Sequence, residues 1–248
     1  MHIANAENNF VSRAEGKLEG AVRAFSYDFR NKTVLDIGSS TGGFTELALK
    51  LGAKKVIAIE KGTRQMKAPL RFDPRVELYE KTDFFDVAHN NSDLTRFGGS
   101  RPRSLTPAVA GFALFESPAG DSPRPKGRTG QGLEPHESSL SNTVILRGHI
   151  DTVLADVSFV SLAKILRHAR QFADSKTDFL VMLKPQFEAR PDQLFKGVVK
   201  NEKIRREIIR NFEIWLKNNK FLVVNKRDND VIGKNGNQER FYYLKIAK

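Results

Sequence analysis

The chain has 248 residues, 40% of them hydrophobic, with 41 Lys and Arg against 29 Asp and Glu and no cysteine. That length and apolar content fit one large α/β domain, alone or with an appendage, and the net charge of +12 argues for a polyanionic partner. The lack of cysteine excludes disulfides, thiolate nucleophiles and zinc–cysteine sites, and it fits a reducing compartment.

In chain order, residues 1–10 (MHIANAENNF) read as a tail with neither the basic nor the apolar region of a signal peptide. No later run approaches membrane-spanning length, so a cytoplasmic protein without a membrane partner is expected. VSRAEGKLEGAVRAFSY follows as a helix with Leu18, Val22 and Phe25 on one face. KTVLDIG is a short buried strand, TGGFTELALKLGA a turn entering a helix that stops at Gly52, KVIAIEKG a second strand and RVELYEKTD a third. Strands that alternate with helices and are rich in Val, Ile and Leu predict a parallel sheet.

Residues 96–140 break this texture, holding 6 of the 10 prolines and 7 of the 18 glycines without a helical or strand period. A flexible insertion within the domain at 11–248 is expected there. Its six basic and four acidic residues account for +2 of the net charge, so the basic character belongs to the folded body. The α/β pattern resumes with a fourth strand in IDTVLADVSFVSL, a helix to about Phe172 and a fifth strand, FLVMLKP. NEKIRREIIRNFEIWLKNN reads as an amphipathic helix with Ile204, Ile208, Phe212 and Trp215 inward, and KFLVVNKRD and ERFYYLKIA as a closing hairpin.

LDIGSSTGGF places Asp36 at a strand end before Gly38, Ser39, Ser40, Gly42, Gly43 and Phe44. Glycines let a ligand approach the backbone at the carboxyl edge of a parallel sheet. The spacing is not G-x-G-x-x-G, and it suits a methyl donor better than a dinucleotide. Asp36 can face an ammonium, Glu60 after the second strand can take ribose hydroxyls, and Asp83 after the third can reach an adenine amine. Three acids at consecutive strand ends point to S-adenosylmethionine; the competing reading is a glycine turn with ordinary strand-end acids.

A second set gathers at the same edge: Asp156 after strand four, Lys184 after strand five, Glu239 before the last strand, and Lys17 in the opening helix. Solvated strand ends with one buried salt bridge would leave the same trace. The functional reading is a lysine–carboxylate cluster that orients a ribose hydroxyl and stabilises its developing negative charge. Two proton paths fit: Lys184 takes the proton, or it only steadies the oxygen. Pyrimidine carbon-5 methylation usually needs a cysteine, which is absent, and DVSF (Asp156–Phe159) lacks the prolines of the adenine amino-methylation motif. No metal site is expected, and the oligomeric state is left open.

The stretches VSRAEGKLEGA, VLDIGSSTGGFTELALKLGA, DPRVELYEKTD, LADVSFVSL, LVMLKPQFE and IGKNGNQERFYYL together resemble the TlyA family. That family is often labelled haemolysin and is related to FtsJ-type ribose methyltransferases. The resemblance implies a Rossmann-like methyltransferase fold with a seven-stranded, mostly parallel sheet, and 2′-O-methylation of ribosomal RNA from S-adenosylmethionine. Ribosomal RNA or ribosomal subunits are then the expected partners. By position, Lys17, Asp156, Lys184 and Glu239 look like the catalytic tetrad and the stretch around Gly38, Gly42 and Gly43 like the donor loop. Three departures stand out: the expected absence of the usual N-terminal RNA-binding module, Ala14–Glu15 in place of glycines, and the insertion. An rRNA-binding assembly factor with little turnover is the alternative, and a membrane-lytic haemolysin finds no long apolar segment.

Overall fold

The computed structural model describes residues 13–90, 143–233 and 236–247. By contact the chain divides into two compact units, residues 1–90 with 143–248, and residues 91–142. The second unit, which contains the insertion expected at 96–140, lies outside the described residues, as does the tail at 1–10.

In the first unit α1 (Arg13–Phe25) precedes β1 (Thr33–Ile37), α2 (Gly43–Lys50), β2 (Lys55–Ile59) and β3 (Val76–Tyr79). Two short strands follow, β4 (Val87–His89) and β5 (Val144–Leu146). Then come β6 (Thr152–Ala155), α3 (Leu162–Ala169), β7 (Asp178–Leu183), α4 (Pro185–Glu188), α5 (Glu202–Asn218), β8 (Phe221–Asp228) and β9 (Arg240–Ile246).

Seven strands form one sheet in the order β3-β2-β1-β6-β7-β9-β8. Every pairing from β3 to β7 is parallel, while β9 runs antiparallel to both β7 and β8. The expected mostly parallel sheet with a C-terminal antiparallel hairpin is therefore the observed fold. β4 and β5 pair in a separate parallel ladder. Three residues apiece are too few to carry a readable period, so the sequence gives no sign of this ladder.

The central strands are buried on both faces, which is why they read as continuous apolar runs rather than as alternation. All six residues of β7 are buried. Alternate residues divide between two cores. Val34, Leu154, Leu180 and Met182 pack with Leu18, Phe44 and Leu47 of α1 and α2. Leu35, Val153, Phe179 and Val181 pack with Ile165, Ile209 and Phe212 of α3 and α5. At roughly 1.5–3 kcal/mol for each large apolar side chain removed from water, this two-faced burial is the main force holding the sheet.

The inward face of α5 differs from expectation. Arg205, Ile208, Ile209, Phe212 and Leu216 are buried, whereas Ile204 and Trp215 are half-buried. Trp215 lies at the core's rim, stacked 6.1 Å from Phe212 and 6.1 Å from Phe221. The stripe thus turns by about one residue, and Arg205 is drawn in against Asp228 at 2.6 Å.

Parallel strands bring their carboxyl ends to one edge, with Ile37 level with Ile59 and Ala155, and Ala155 level with Val181. The reversed last strand contributes its beginning to that edge. Leu183 pairs with Arg240, so Glu239 arrives beside Lys184 although the two are far apart in sequence.

Candidate active site

The loop after β1 is shaped by two left-handed glycines, Gly38 at φ +78° and Gly42 at φ +94°. They serve different ends. A Cβ on Gly38 would sit 3.3 Å from the Asp156 carbonyl oxygen, so the loop runs hard against the chain leaving β6. A Cβ on Gly42, the N-cap of α2, would strike Leu70, so this glycine answers to packing. Glu60 ties the loop to the end of β2. Its Oε2 accepts the Ser40 N–H at 2.8 Å, and its Oε1 accepts from Gly62 N at 2.6 Å and Gln65 Nε2 at 3.2 Å. Asp83 opens the single 3₁₀ turn Phe84–Asp86, accepting from Phe85 N at 3.1 Å. The Lys61 ammonium, 2.8 Å away, holds its carboxyl below the ordinary range.

Gly38, Ser40, Glu60, Asp83 and Asp156 line a cavity of about 650 Å³ whose apolar walls include Ile37, Ile59 and Phe84. This volume is typical of small-molecule sites. The carboxylates outnumber the one lysine, Lys61, so the cavity favours a ligand carrying positive charge.

The other residues expected around the donor do not line that cavity. Asp36 shares the pleat face of Val34, which turns it toward α2, where it accepts from Thr45 Oγ1 at 2.6 Å. Full burial, with Asp156 and Glu60 nearby, pushes its carboxyl up to about 7 despite the Thr45 hydrogen bond, and Oδ1 is left without a partner. Ser39 is buried with Oγ unpartnered. Gly43 begins α2, and Phe44 is a core residue whose ring lies 6.0 Å from that of Phe241.

The second expected cluster resolves into two ion pairs. Lys17 Nζ donates to Glu239 Oε2 at 2.5 Å, with side chains 13% and 4% exposed. Lys184 Nζ lies 2.7 Å from Asp156 Oδ1 and donates to Ser158 Oγ at 3.0 Å. At this separation the Asp156 carboxylate and the Lys184 ammonium are held together as an ion pair. Pro185, at the first position of α4, starts that helix directly after Lys184 and fixes where β7 delivers its lysine. Lys17, Lys184 and Glu239 line a second cavity of about 450 Å³, whereas Asp156 lines the first. Ser158 and Phe159 belong to both. The Lys184–Asp156 pair thus bridges the wall between two compartments.

Three residues in this wall were not singled out by the sequence. Ser158 receives the Lys184 hydrogen bond. Phe159 is 92% exposed and holds a left-handed backbone at φ +62°, a conformation that costs about 1–2 kcal/mol without glycine. Gln186, in the wall of the second cavity, has a buried Oε1 with no partner. Their signal was proximity, since DVSF and LKPQF surround the two residues already chosen.

Residues 10–246 match the family of FtsJ-like methyltransferases. The chain belongs to that family. Among FtsJ-like relatives, the 16S/23S rRNA (cytidine-2′-O)-methyltransferase TlyA of Mycobacterium tuberculosis is 29% identical over 244 residues, covering 98% of this chain and 71% of the relative. The 23S rRNA (cytidine-2′-O)-methyltransferase TlyA of Campylobacter jejuni is 27% identical over 238 residues, covering 94% and 70%. A solved haemolysin-labelled protein from Lactococcus lactis superposes with a TM-score of 0.70 at 27% identity, covering 96% of this chain and 89% of that one. Among the described residues of this FtsJ-like chain, no helix is long and apolar enough to cross a membrane.

Proposed function

We infer that this FtsJ-like protein transfers a methyl group from S-adenosylmethionine to a ribose 2′-hydroxyl of ribosomal RNA. The observation that carries the reading is the Lys184–Asp156 pair at the wall shared by two cavities, with Lys17–Glu239 lining the far one. The first cavity suits the methyl donor. Its apolar walls offer a slot for a purine, Asp83 stands for the amine, Glu60 for the ribose hydroxyls, and the acidic balance favours a cationic ligand. S-adenosylmethionine supplies an electrophilic methyl on a sulfonium.

Gly38 keeps the loop low enough for close approach, with Asp36 and Ser39 buried behind it. Ser40, Gly42, Gly43 and Phe44 shape and anchor the loop. In the second cavity the acceptor oxygen would take the methyl as the donor's carbon–sulfur bond breaks, leaving a neutral thioether, and the hydroxyl proton would pass to water in that cavity. Lys184 orients that oxygen and stabilises its charge, Asp156 fixes Lys184, and Glu239 fixes Lys17 opposite.

The relatives named as rRNA cytidine-2′-O-methyltransferases supply the acceptor class, and the net charge of +12 suits a polyanionic substrate. A binder without turnover would have no use for a buried lysine pair at the meeting of two cavities. The test is incubation of the full chain with methyl-labelled S-adenosylmethionine and ribosomal subunits, followed by mapping of 2′-O-methyl sites. Label on rRNA that falls about 100- to 1,000-fold in Lys184→Ala is expected, the usual scale for loss of a group stabilising a developing oxyanion. Absence of label on subunits and on free rRNA would favour the binding factor, and undiminished label in the variant would remove Lys184 from the chemistry.

A further inference from the structure

A tight turn on the rim of the second cavity carries features that catalysis does not use. Phe195 and Val198 exchange both backbone hydrogen bonds, at 2.9 and 3.0 Å. Lys196 and Gly197 between them hold φ of +49° and +78°, the left-handed pair of a two-residue hairpin turn. Gly197 lines the cavity with Lys17, Lys184 and Glu239. Buried Asn237, two residues before Glu239, bolts the turn in place. Its Nδ2 donates to the Gly197 carbonyl at 3.1 Å and its Oδ1 accepts from Val199 N at 3.1 Å.

The turn displays an aromatic ring that is 55% exposed. Lys200 Nζ stands 4.2 Å from the centre of the Phe195 ring and Lys196 Nζ 5.7 Å from it. The exposed ring, flanked by two ammonium groups, offers a flat surface for stacking. Next in the chain comes the start of α5, where Lys203, Arg206 and Arg210, with the single carboxylate Glu207, line a surface hollow of about 440 Å³, three cations to one anion. None of these five cations has a carboxylate partner within ion-pair distance among the described residues, whereas Arg190, just before the turn, pairs with Asp192 at 3.2 Å.

We propose that Phe195 and the cations Lys196, Lys200, Lys203, Arg206 and Arg210 form a track for the single strand of RNA flanking the acceptor nucleotide. One base of that strand stacks on the Phe195 ring, and the following phosphates run along the α5 cations. Single-stranded recognition is favoured because a ring needs an unstacked base, which a duplex does not offer. More than half of the Phe195 surface is open to a base, and Lys196 and Lys200 beside the ring are placed to meet the adjoining phosphates. This inference rests on the reading of the second cavity as the acceptor site.

The test is binding of a short fluorescein-labelled single-stranded oligoribonucleotide, and of its duplex, to the full chain over a series of KCl concentrations. Phe195→Ala is expected to weaken single-strand binding about ten-fold without changing the salt slope, with Phe195→Tyr restoring it. The triple variant Lys203→Gln, Arg206→Gln, Arg210→Gln is expected to flatten the log–log salt slope by about 2, since each phosphate contact contributes about 0.7 on a single strand. Full-strength binding by Phe195→Ala, an unchanged slope in the triple variant, or equal losses on the duplex would overturn the track. Loss of binding to polyglutamate with none for RNA would make the surface a protein-docking site instead. S-adenosylmethionine binding by calorimetry is expected to be unchanged in every variant; its absence from the wild-type chain would remove the methyltransferase reading, whereas the track fails only on the RNA titrations.

Discussion

Replacing Lys17 with methionine separates what the Lys17–Glu239 pair does for folding from the part in methyl transfer proposed for it. The pair is made at 2.5 Å with side chains 13% and 4% exposed, so the substitution strands a carboxylate that is almost wholly buried. Removing one partner of a buried pair costs roughly 3–5 kcal/mol, and the low end applies because Lys17 faces a cavity open to water. Urea denaturation at neutral pH should therefore show Lys17→Met destabilised by about 3 kcal/mol. The double variant Lys17→Met, Glu239→Gln removes the stranded charge and should recover most of that loss, to within about 1 kcal/mol of wild type. Methyl transfer to rRNA should stay low in both variants, because neither restores the ammonium. A double variant as unstable as the single one, or one with full methyl transfer, would refute the reasoning.

Two further outcomes follow from buried and left-handed positions. Asp36 carries its carboxyl from an ordinary 3.8 up to about 7, so between those values the folded chain holds a proton that the unfolded chain has released. Stability should fall as pH rises through that window and level off above it, by a total of about 4 kcal/mol for this group, and Asp36→Asn should flatten the profile measured by denaturation. At Gly42, φ +94° and the Leu70 side chain both oppose a Cβ, so Gly42→Ala should cost about 2–3 kcal/mol, read as a lowered Tm.

The elements that build the site were legible where the physics is local. Apolar runs such as FLVML followed by a charge and a proline marked β7 and its lysine, because a strand buried on both faces is mostly apolar and a charge at its end stands out. Asp156, Lys184 and Glu239 were legible for the same reason, as charges at strand ends. What the sequence concealed was geometry across strands. Asp36 and Ile37 differ by one residue, yet pleat parity sends one toward α2 and the other into the cavity wall. Phe44 follows two glycines and reads as part of a ligand loop, but the turn of α2 rotates it into the core. The separation of Asp156 from Glu239 into different cavities depends on how loops after β6 and β7 pack, which no spacing encodes.

The small β4–β5 ladder has a consequence for how this chain tolerates change. His89 is level with Leu146 and Val87 with Val144, and His168 Nε2 braces β4 from α3 through the Val87 carbonyl at 2.9 Å. Chain leaves this ladder after β4 and re-enters at β5, so the exit and the return are both anchored in the folded body whatever lies between them. Doubling the length of a connecting loop adds only about 0.6 kcal/mol of closure entropy. The ladder is in effect a docking port for foreign sequence: a peptide tag or a small folded module grafted between its strands should leave the seven-stranded sheet and both cavities standing.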